Sequence, residues 1–211
     1  MVAQIRPVAD LDTFPEERLA MTEEEFVAWG DEEAKAEWVK GEVIIMSPAS
    51  IRHGDLAGFL LMLMRSFVTQ RQLGVVLGPE CQVHLSDQGS WRVPDLLFVA
   101  QERVEMIRVN HIEGPPDLAL EIVSPESVAR DWREKYLEYE AAGVGEYWVV
   151  DPLAGRVEAY SLGQGRRYTR IQPQKQLIHS VALPGFYLKP AWLWSKPLPN
   201  PLDILRELGV L

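Results

Sequence analysis

The 211-residue chain is poor in cysteine, in basic charge and in long apolar runs, and each shortage excludes a class of protein. A single cysteine, Cys81, rules out an internal disulfide and a zinc site built from paired thiolates. The longest apolar run, Leu56 to Met64, is too short to cross a bilayer and is followed by Arg65. The N-terminal residues show no apolar stretch typical of a secretory signal. We therefore expect a soluble, cytoplasmic protein with no membrane partner.

Basic side chains are scarce, since 31 acidic residues stand against 21 lysines and arginines, a formal net charge of −10. A broad nucleic-acid footprint normally needs a basic face, which this balance disfavours. Basic residues nevertheless cluster at two places: Arg130, Arg133 and Lys135, and Arg166, Arg167 and Arg170. A polyanion could therefore bind to one side of the protein only. We expect the second cluster to be a solvated strand face, with a phosphate-contacting edge as the alternative.

Two scattered residue types are interpreted structurally. The four histidines show no metal-ligand spacing and are expected to be surface or hydrogen-bonded structural residues: His53, His84, His111 and His179. Three tryptophans fit core or dimer contacts better than base-stacking platforms: Trp148, Trp192 and Trp194.

A carboxylate lies in the middle of an apolar strand predicted between Pro116 and Pro125. Side chains alternate along a strand, so Glu121 shares its face with Ala119 and Val123. An ionised carboxylate among apolar groups is costly unless a cation pairs with it. The strand therefore predicts a cationic partner for Glu121.

The expected partner is Lys135, 14 residues further along the chain. Residues 128 to 142 have a helical composition, and successive residues of a helix are about 100° apart. At that spacing the lysine falls in the middle of the apolar stripe: Val128, Trp132, Lys135, Tyr139 and Ala142. A helix that directly follows the strand should pack its buried stripe on the same sheet. We therefore expect the Lys135 ammonium to approach Glu121.

A second acid, Asp95, stands after Pro94 at the start of another apolar run. The proline keeps Asp95 near the beginning of its strand, where one side stays open. Two strand carboxylates can share a hard divalent cation, and an inward lysine can hold a water or neutralise charge on a phosphate. Asp95, Glu121 and Lys135 therefore form the candidate site.

The order of the predicted elements favours an α/β fold. The middle of the chain gives helix, strand, strand, strand, helix, strand, and its first helix covers residues 52 to 72. A capped helix ending at Gly30 and a hairpin over residues 37 to 46 come before this core. A β-meander follows it. One continuous strand is expected from Trp91 to Ala100, and residues 101 to 115 are expected to be loop.

We expect one folded domain with an extension at each end. Residues 1 to 20 form the N-terminal extension and residues 21 to 190 form the domain. Residues 191 to 211 form a C-terminal tail of largely irregular chain, packed on the domain, with a short helix from Leu202 to Leu208.

Two acidic strands in this order of elements resemble the PD-(D/E)xK nuclease superfamily. Several motifs are more specifically similar to the Uma2 family, a family of proposed endonucleases once catalogued as a domain of unknown function. These motifs are Glu37 before Gly41-Glu42, Ser47-Pro48 before His53, Arg92-Val93-Pro94-Asp95, Glu121 to Pro125, Asp131 to Lys135, and Gly143 to Pro152. The likeness covers about residues 20 to 190, and the motifs together are specific.

The resemblance implies a restriction-endonuclease-like core and a Mg²⁺-dependent phosphodiesterase that acts on nucleic acid, with DNA as the expected substrate. In the superfamily the lysine normally lies two residues after the strand glutamate, where this chain has Val123. The Uma2-like pattern places a lysine on the following helix instead, which matches Lys135.

Roles for the site residues follow from the resemblance together with the candidate site. Asp95, Glu121 and the main-chain carbonyl of Ile122 would bind Mg²⁺ or Mn²⁺. Lys135 would orient a water and offset charge on the phosphate. Glu37 would support the site from outside or hold a second cation.

Simpler roles stand beside these. Asp95 could cap its strand or pair with Arg92, and Glu121 with Lys135 could be a buried structural ion pair. The matching order of all three residues favours a site. For the whole protein, the alternative is a catalytically silent nuclease fold that binds nucleic acid or protein, favoured by the acidic balance and by Val123. A homodimer is left open.

Overall fold

The computed structural model describes residues 17–29 and 35–211, and in these ranges it contains 14 strands and five α-helices. The strands are β1 (Glu17–Ala20), β2 (Ala36–Val39), β3 (Glu42–Ile45), β4 (Gly74–Leu77), β5 (Gln82–Leu85), β6 (Ser90–Arg92), β7 (Leu96–Ala100), β8 (His111–Glu113), β9 (Leu118–Ile122), β10 (Glu146–Asp151), β11 (Arg156–Leu162), β12 (Tyr168–Arg170), β13 (Ile178–His179) and β14 (Tyr187–Leu188). The helices are α1 (Glu23–Trp29), α2 (Ile51–Arg71), α3 (Lys135–Ala142), α4 (Pro190–Trp194) and α5 (Pro201–Glu207).

Six strands form the central sheet, in the order β12-β11-β10-β9-β7-β4. β9 and β10 are parallel and are connected through α3, whereas the other neighbouring strands are antiparallel. A parallel pair requires such a crossover, because a tight hairpin would reverse the chain. The predicted core of helix, strand, strand, strand, helix, strand is confirmed as α2, β4, β7, β9, α3 and β10.

Both faces of β9 are covered, as expected for a nearly all-apolar strand in the middle of a sheet. Leu118, Leu120 and Ile122 belong to the hydrophobic core that contains α2. Ala119 and Val123 belong to the core on the other face, which includes residues of α3. The predicted alternation along this strand is confirmed, and it directs the Glu121 side chain towards α3.

The helix α2 begins and ends where its sequence indicates. Ser50 caps its start by accepting the main-chain N–H of His53 at 3.1 Å. Gln72 ends it in a left-handed conformation with φ at 55°. The buried side of α2 carries apolar residues at helical spacing: Leu56, Leu60, Leu63, Met64 and Phe67. This helix is therefore a rigid support beneath the central sheet.

A second sheet, the outer sheet, has the order β1-β3-β2-β6-β5-β8. The predicted hairpin is confirmed as β2 and β3. Its two turn residues, Lys40 and Gly41, have φ values of 49° and 94°, and such positive values suit a two-residue turn whose twist matches the strands. The outer sheet brings Glu37, on β2, towards the central sheet.

The prediction of one strand from Trp91 to Ala100 is wrong. Ser90–Arg92 pairs in the outer sheet and Leu96–Ala100 pairs in the central sheet, with residues 93 to 95 crossing between them. Pro94 explains the break, since proline cannot donate a ladder hydrogen bond. The prediction of loop over residues 101 to 115 also misses a 3₁₀ helix at Gln101–Met106 and the strand β8.

The C-terminal residues cover one side of α2. Trp192 and Leu193 of α4 and Ile204 and Leu205 of α5 lie in the same hydrophobic core as α2. β13 and β14 form a short ladder that the sequence does not indicate. Residues 1 to 16 of the predicted extension and the predicted helix end at Gly30 lie outside the described residues. Among the helices that the structure describes, none is both long and apolar enough to cross a bilayer.

Candidate active site

Asp95 lies where the chain leaves the outer sheet and enters β7. Its Oδ2 accepts the main-chain N–H of Ile122 at 2.8 Å and lies 3.0 Å from His53 Nε2. Lys35 Nζ is 3.7 Å from Oδ1. Burial alone would raise the pKa of Asp95, but the hydrogen bond with His53 helps to bring it below its ordinary value. Asp95 is therefore an ionised carboxylate fixed to the end of the neighbouring strand.

Glu121 is held in the middle of β9 and is only 2% exposed. Its Oε1 lies 2.9 Å from Lys135 Nζ and accepts a 2.9 Å hydrogen bond from Tyr139 OH. Burial raises the pKa of Glu121 to about 8, since three nearby carboxylates offset the attraction of Lys135. These carboxylates are Asp131, Asp95 and Glu37. Further positive charge beside Glu121 would therefore be favourable.

Lys135 follows a π-helical turn at Arg130–Glu134 and is completely buried. Its Nζ lies 2.9 Å from Glu121, 3.0 Å from Glu37 and 3.7 Å from Asp131. Burial alone would lower the pKa of Lys135, but the surrounding carboxylates raise it above its ordinary value. The ammonium is thus permanently charged at neutral pH and cannot serve as a proton acceptor.

Glu37 reaches Lys135 from the outer sheet. Its Oε1 accepts the main-chain N–H of Val93 at 3.0 Å, and its Oε2 lies 2.9 Å from Arg92 Nη1 and 4.0 Å from Arg130 Nε. Burial alone would raise the pKa of Glu37, but Lys135 and Arg92 lower it to about 2. Both oxygens are engaged by the protein itself, so Glu37 is placed to hold the lysine.

The comparisons with known proteins identify the family of the chain. A family model for Uma2, described as "Putative restriction endonuclease", matches residues 23–191, which is most of the chain. The chain belongs to the Uma2 family. It is also similar to "Uncharacterized protein sll1609" of Synechocystis sp., with 25% identity over 127 residues, which is 60% of this chain and 71% of that protein.

A solved structure shares the fold of this Uma2 protein. It is the crystal structure of "a putative nuclease belonging to DUF820" from Anabaena variabilis, with a TM-score of 0.69 and 19% sequence identity. The match covers 82% of this chain and 97% of that chain. The predicted α/β, restriction-endonuclease-like fold is therefore confirmed.

Asp95 accepts the main-chain N–H of Ile122, the residue after Glu121, and Glu121 contacts Lys135, so the structure places the three predicted residues in one region. It also adds residues that the sequence did not assign to the site. Asp131 is buried four residues before Lys135, and the Ser127 hydroxyl donates a hydrogen bond to it. Burial raises the pKa of Asp131 despite the attraction of Lys135. The i, i+4 spacing of Asp131 and Lys135 is the sequence feature that indicates Asp131 as a member of the site.

Arg92 and His53 carry no such local signal. The suggested pairing of Arg92 with Asp95 does not occur, because the guanidinium pairs instead with Glu37 and Glu138. His53, expected to be a surface or structural residue, places its ring against Asp95 from the first turn of α2. These contacts join residues far apart in the chain, so spacing alone could not indicate them.

The basic cluster at residues 166 to 170 is largely neutralised by the protein. Arg167 lies 2.6 Å from Glu140, and Arg170 lies 3.4 Å from Glu158. Arg166 donates to a main-chain carbonyl. These contacts fit a solvated strand face better than a phosphate-contacting edge. Two of the three tryptophans, Trp148 and Trp192, are buried in the core.

The donor atoms of the site suit a hard divalent cation such as Mg²⁺. Within residues 17–29 and 35–211, no group of three or more His, Cys, Asp or Glu side chains is already arranged to hold an ion. Mg²⁺ does not require one, since it is usually bound by one or two carboxylates together with waters and substrate phosphates. Asp95, directly before β7, and Glu121, on the paired strand β9, supply two carboxylates. Their chemistry fits the cation.

Proposed function

We propose that this Uma2 protein is a metal-dependent endonuclease that hydrolyses phosphodiester bonds of nucleic acid, with DNA as the expected substrate. The observation that carries the proposal is the buried Lys135 ammonium, which lies 2.9 Å from Glu121. Glu121 is on β9, which pairs with β7, and Asp95 directly precedes β7. A carboxylate pair with a nearby fixed cation suits the hydrolysis of a charged ester. The nuclease descriptions of the family and of the solved relative support the same class of reaction.

Asp95, Glu121 and the main-chain carbonyl of Ile122 would hold Mg²⁺ or Mn²⁺. The Ile122 N–H already points to Asp95, and the carbonyl of a strand residue lies on the same side of the strand as its N–H. When bound, the cation would lower the pKa of a water and offset negative charge on the phosphate. Glu121, whose pKa is raised to about 8, would lose its proton when the cation binds.

Lys135 would act as a donor and a fixed positive charge. An ammonium carries three N–H donors, and Glu121 and Glu37 lie within hydrogen-bond distance of it. This leaves donor capacity for a water or a phosphate oxygen. Glu37 would keep the lysine in place, because the N–H of Val93 and the guanidinium of Arg92 fix its own carboxylate.

The substrate would approach past Lys35 and His53. Their side chains are 27% and 14% exposed, whereas the side chain of Lys135 is 1% exposed. Lys35 brings positive charge to this side of the site, where it can meet a phosphate. Such a local cation fits the overall charge of −10, which disfavours a broad basic footprint.

One observation favours a second candidate, a catalytically silent nuclease fold that binds nucleic acid or protein. Lys135 and the carboxylates around it already compensate each other, as they would in a purely structural ion-pair network. In that case the protein would bind its partner without cleaving it.

A cleavage assay separates the two candidates. Supercoiled plasmid DNA and a labelled RNA are incubated with wild type, Glu121→Gln and Glu105→Gln, in Mg²⁺ or in excess chelator. Glu105 is exposed on the 3₁₀ helix that follows β7, so its variant is the matched control. We expect Mg²⁺-dependent cleavage by wild type and the control, and a loss of at least about 100-fold in Glu121→Gln. Full turnover by Glu121→Gln, or binding without cleavage by wild type, would contradict the proposal.

A further inference from the structure

His53 is held in place by the start of α2. Ser50 accepts the main-chain N–H of His53 at 3.1 Å, and this capping fixes the first turn of the helix. The helix that follows has eight buried residues and packs beneath the central sheet. The imidazole is therefore carried by a well-packed helix that is separate from the segment of Asp95.

The ring reaches one particular oxygen of Asp95. His53 Nε2 lies 3.0 Å from Oδ2, which also accepts the Ile122 N–H at 2.8 Å. Oδ1 has a different environment, with Lys35 Nζ at 3.7 Å, beyond hydrogen-bond distance. The strand and the helix together therefore clamp Oδ2 and leave Oδ1 as the oxygen available to a ligand.

We propose that His53 is a positioning residue that orients Asp95 so that Oδ1 faces the cation. This inference rests on the proposed function, because it names the residue that prepares one of the proposed metal ligands. The Ile122 N–H alone would fix one hydrogen bond and leave the carboxylate free to turn about it. The imidazole supplies the second point of attachment that removes this freedom. Partners of this kind typically contribute about 10–100-fold in metal affinity or activity.

Calorimetric titration with Mn²⁺ alone tests the proposal. Wild type, His53→Ala, His53→Gln and the control His179→Ala are compared in the absence of nucleic acid. His179 is an exposed histidine on β13, and its ring lies near Tyr187 rather than Asp95. We expect His53→Ala to bind Mn²⁺ about 10–100-fold more weakly than wild type, and His179→Ala to bind as wild type does. His53→Gln should recover part of the loss, because its amide N–H can still donate to Oδ2.

The Mn²⁺ dependence of activity gives a second measurement, which a purely structural role of His53 would not change in the same way. With plasmid DNA, raising the Mn²⁺ concentration should return the kcat of His53→Ala towards the wild-type value, since the defect lies in metal occupancy. Unchanged affinity in His53→Ala overturns the proposal, and so does a glutamine variant that binds no better than the alanine variant. Wild type that binds no Mn²⁺ refutes the proposed function as well, which distinguishes the two failures. If His53→Ala fails to fold, the comparison of His53→Gln with His179→Ala decides the matter.

Discussion

Two networks of acids and bases in the described part of the chain differ in how deeply they are buried. One is the candidate site, where Glu37, Glu121 and Lys135 are at most 2% exposed. The other, the surface network, lies on the outer sheet and α1 and consists of Glu23, His84, His111 and Glu113.

The surface network joins neighbouring elements through partly exposed contacts. His84 lies 3.0 Å from Glu23 and 3.1 Å from Glu113, and its ring stacks on Trp91 at 4.3 Å. Burial alone would raise the pKa of Glu113, but its hydrogen bonds with His84 and His111 help to bring it below its ordinary value. Contacts of this type contribute little, because water already solvates the separated charges.

The buried network is costly, since each of its charges has lost its water. The cost shows in Glu121, whose pKa is raised to about 8 although an ammonium lies 2.9 Å away. A sequence optimised only for stability would place apolar residues here. The comparison teaches that similar residue types join neighbouring elements at low cost in the surface network, whereas in the candidate site they form a costly buried cluster to which the proposed function assigns the chemistry.

Of the changes that compare the two networks, removal of Lys135 should have the largest effect on the free energy of unfolding. Lys135→Met leaves Glu37, Glu121 and Asp131 buried without the ammonium, which should cost about 3–5 kcal/mol of the free energy of unfolding. Urea unfolding of the variant and wild type at pH 7 measures this. An unchanged midpoint would mean that the buried network is no more important to the fold than the surface one.

Glu37→Gln should have the second largest effect on the free energy of unfolding, and this effect should depend on pH. The pKa of Glu37 is about 2 in the folded protein and near 4.5 when unfolded, so its ionisation stabilises the fold above about pH 4.5. This contribution is lost as the pH falls from about 4.5 towards 2. We expect the variant to lose about 3 kcal/mol at pH 7 and much less at pH 3. Equal losses at both pH values, in urea unfolding, would refute the assignment.

Glu121→Gln should stabilise the metal-free protein. The folded pKa of Glu121 is about 8, above its ordinary 4.5, so its ionisation opposes folding and wild-type stability falls as the pH rises from about 4.5 to 8. At pH 8.5 the variant should be more stable than wild type by on the order of 1–3 kcal/mol. At pH 5 the difference should be small.

Thermal unfolding in chelator, with Glu105→Gln as the control, measures this difference. The same Glu121→Gln sample should be inactive in the cleavage assay, which separates loss of chemistry from loss of fold. A variant that is less stable than wild type at pH 8.5 would contradict this account of the pKa.

The surface network should give the smallest effect. Glu113→Gln removes the carboxylate that faces both His84 and His111, yet the free energy of unfolding should change by less than about 1 kcal/mol. Cleavage and Mn²⁺ affinity should be unaffected. A loss of activity comparable to that of Glu121→Gln would show that the two networks had been assigned the wrong roles.

The sequence predicted those parts of the fold and site that depend on neighbours in the chain. Alternation along one strand showed that Glu121 needed a cation, and helical spacing singled out Lys135 as the buried lysine. Their 2.9 Å contact agrees with both inferences. The π-helical turn before Lys135 was not predicted, because its residues read as ordinary helix.

The rest of the site depends on how separate elements meet. Arg92 on β6 contacts Glu37 on the adjacent strand β2, and His53 on α2 contacts Asp95. Neither pair has a periodic signal, since the partners are 55 and 42 residues apart. Pro94 did carry the signal for the strand break, but the apolar residues on both sides favoured one continuous strand.

A crystal soaked in Mn²⁺ tests the central claim most directly, through the position of the anomalous scattering peak. The account predicts one peak within about 2.0–2.3 Å of oxygens from Asp95 and Glu121, with the Ile122 carbonyl as a further ligand. A peak among His84, His111 and Glu113, or no peak near Asp95 at saturating Mn²⁺, would contradict it.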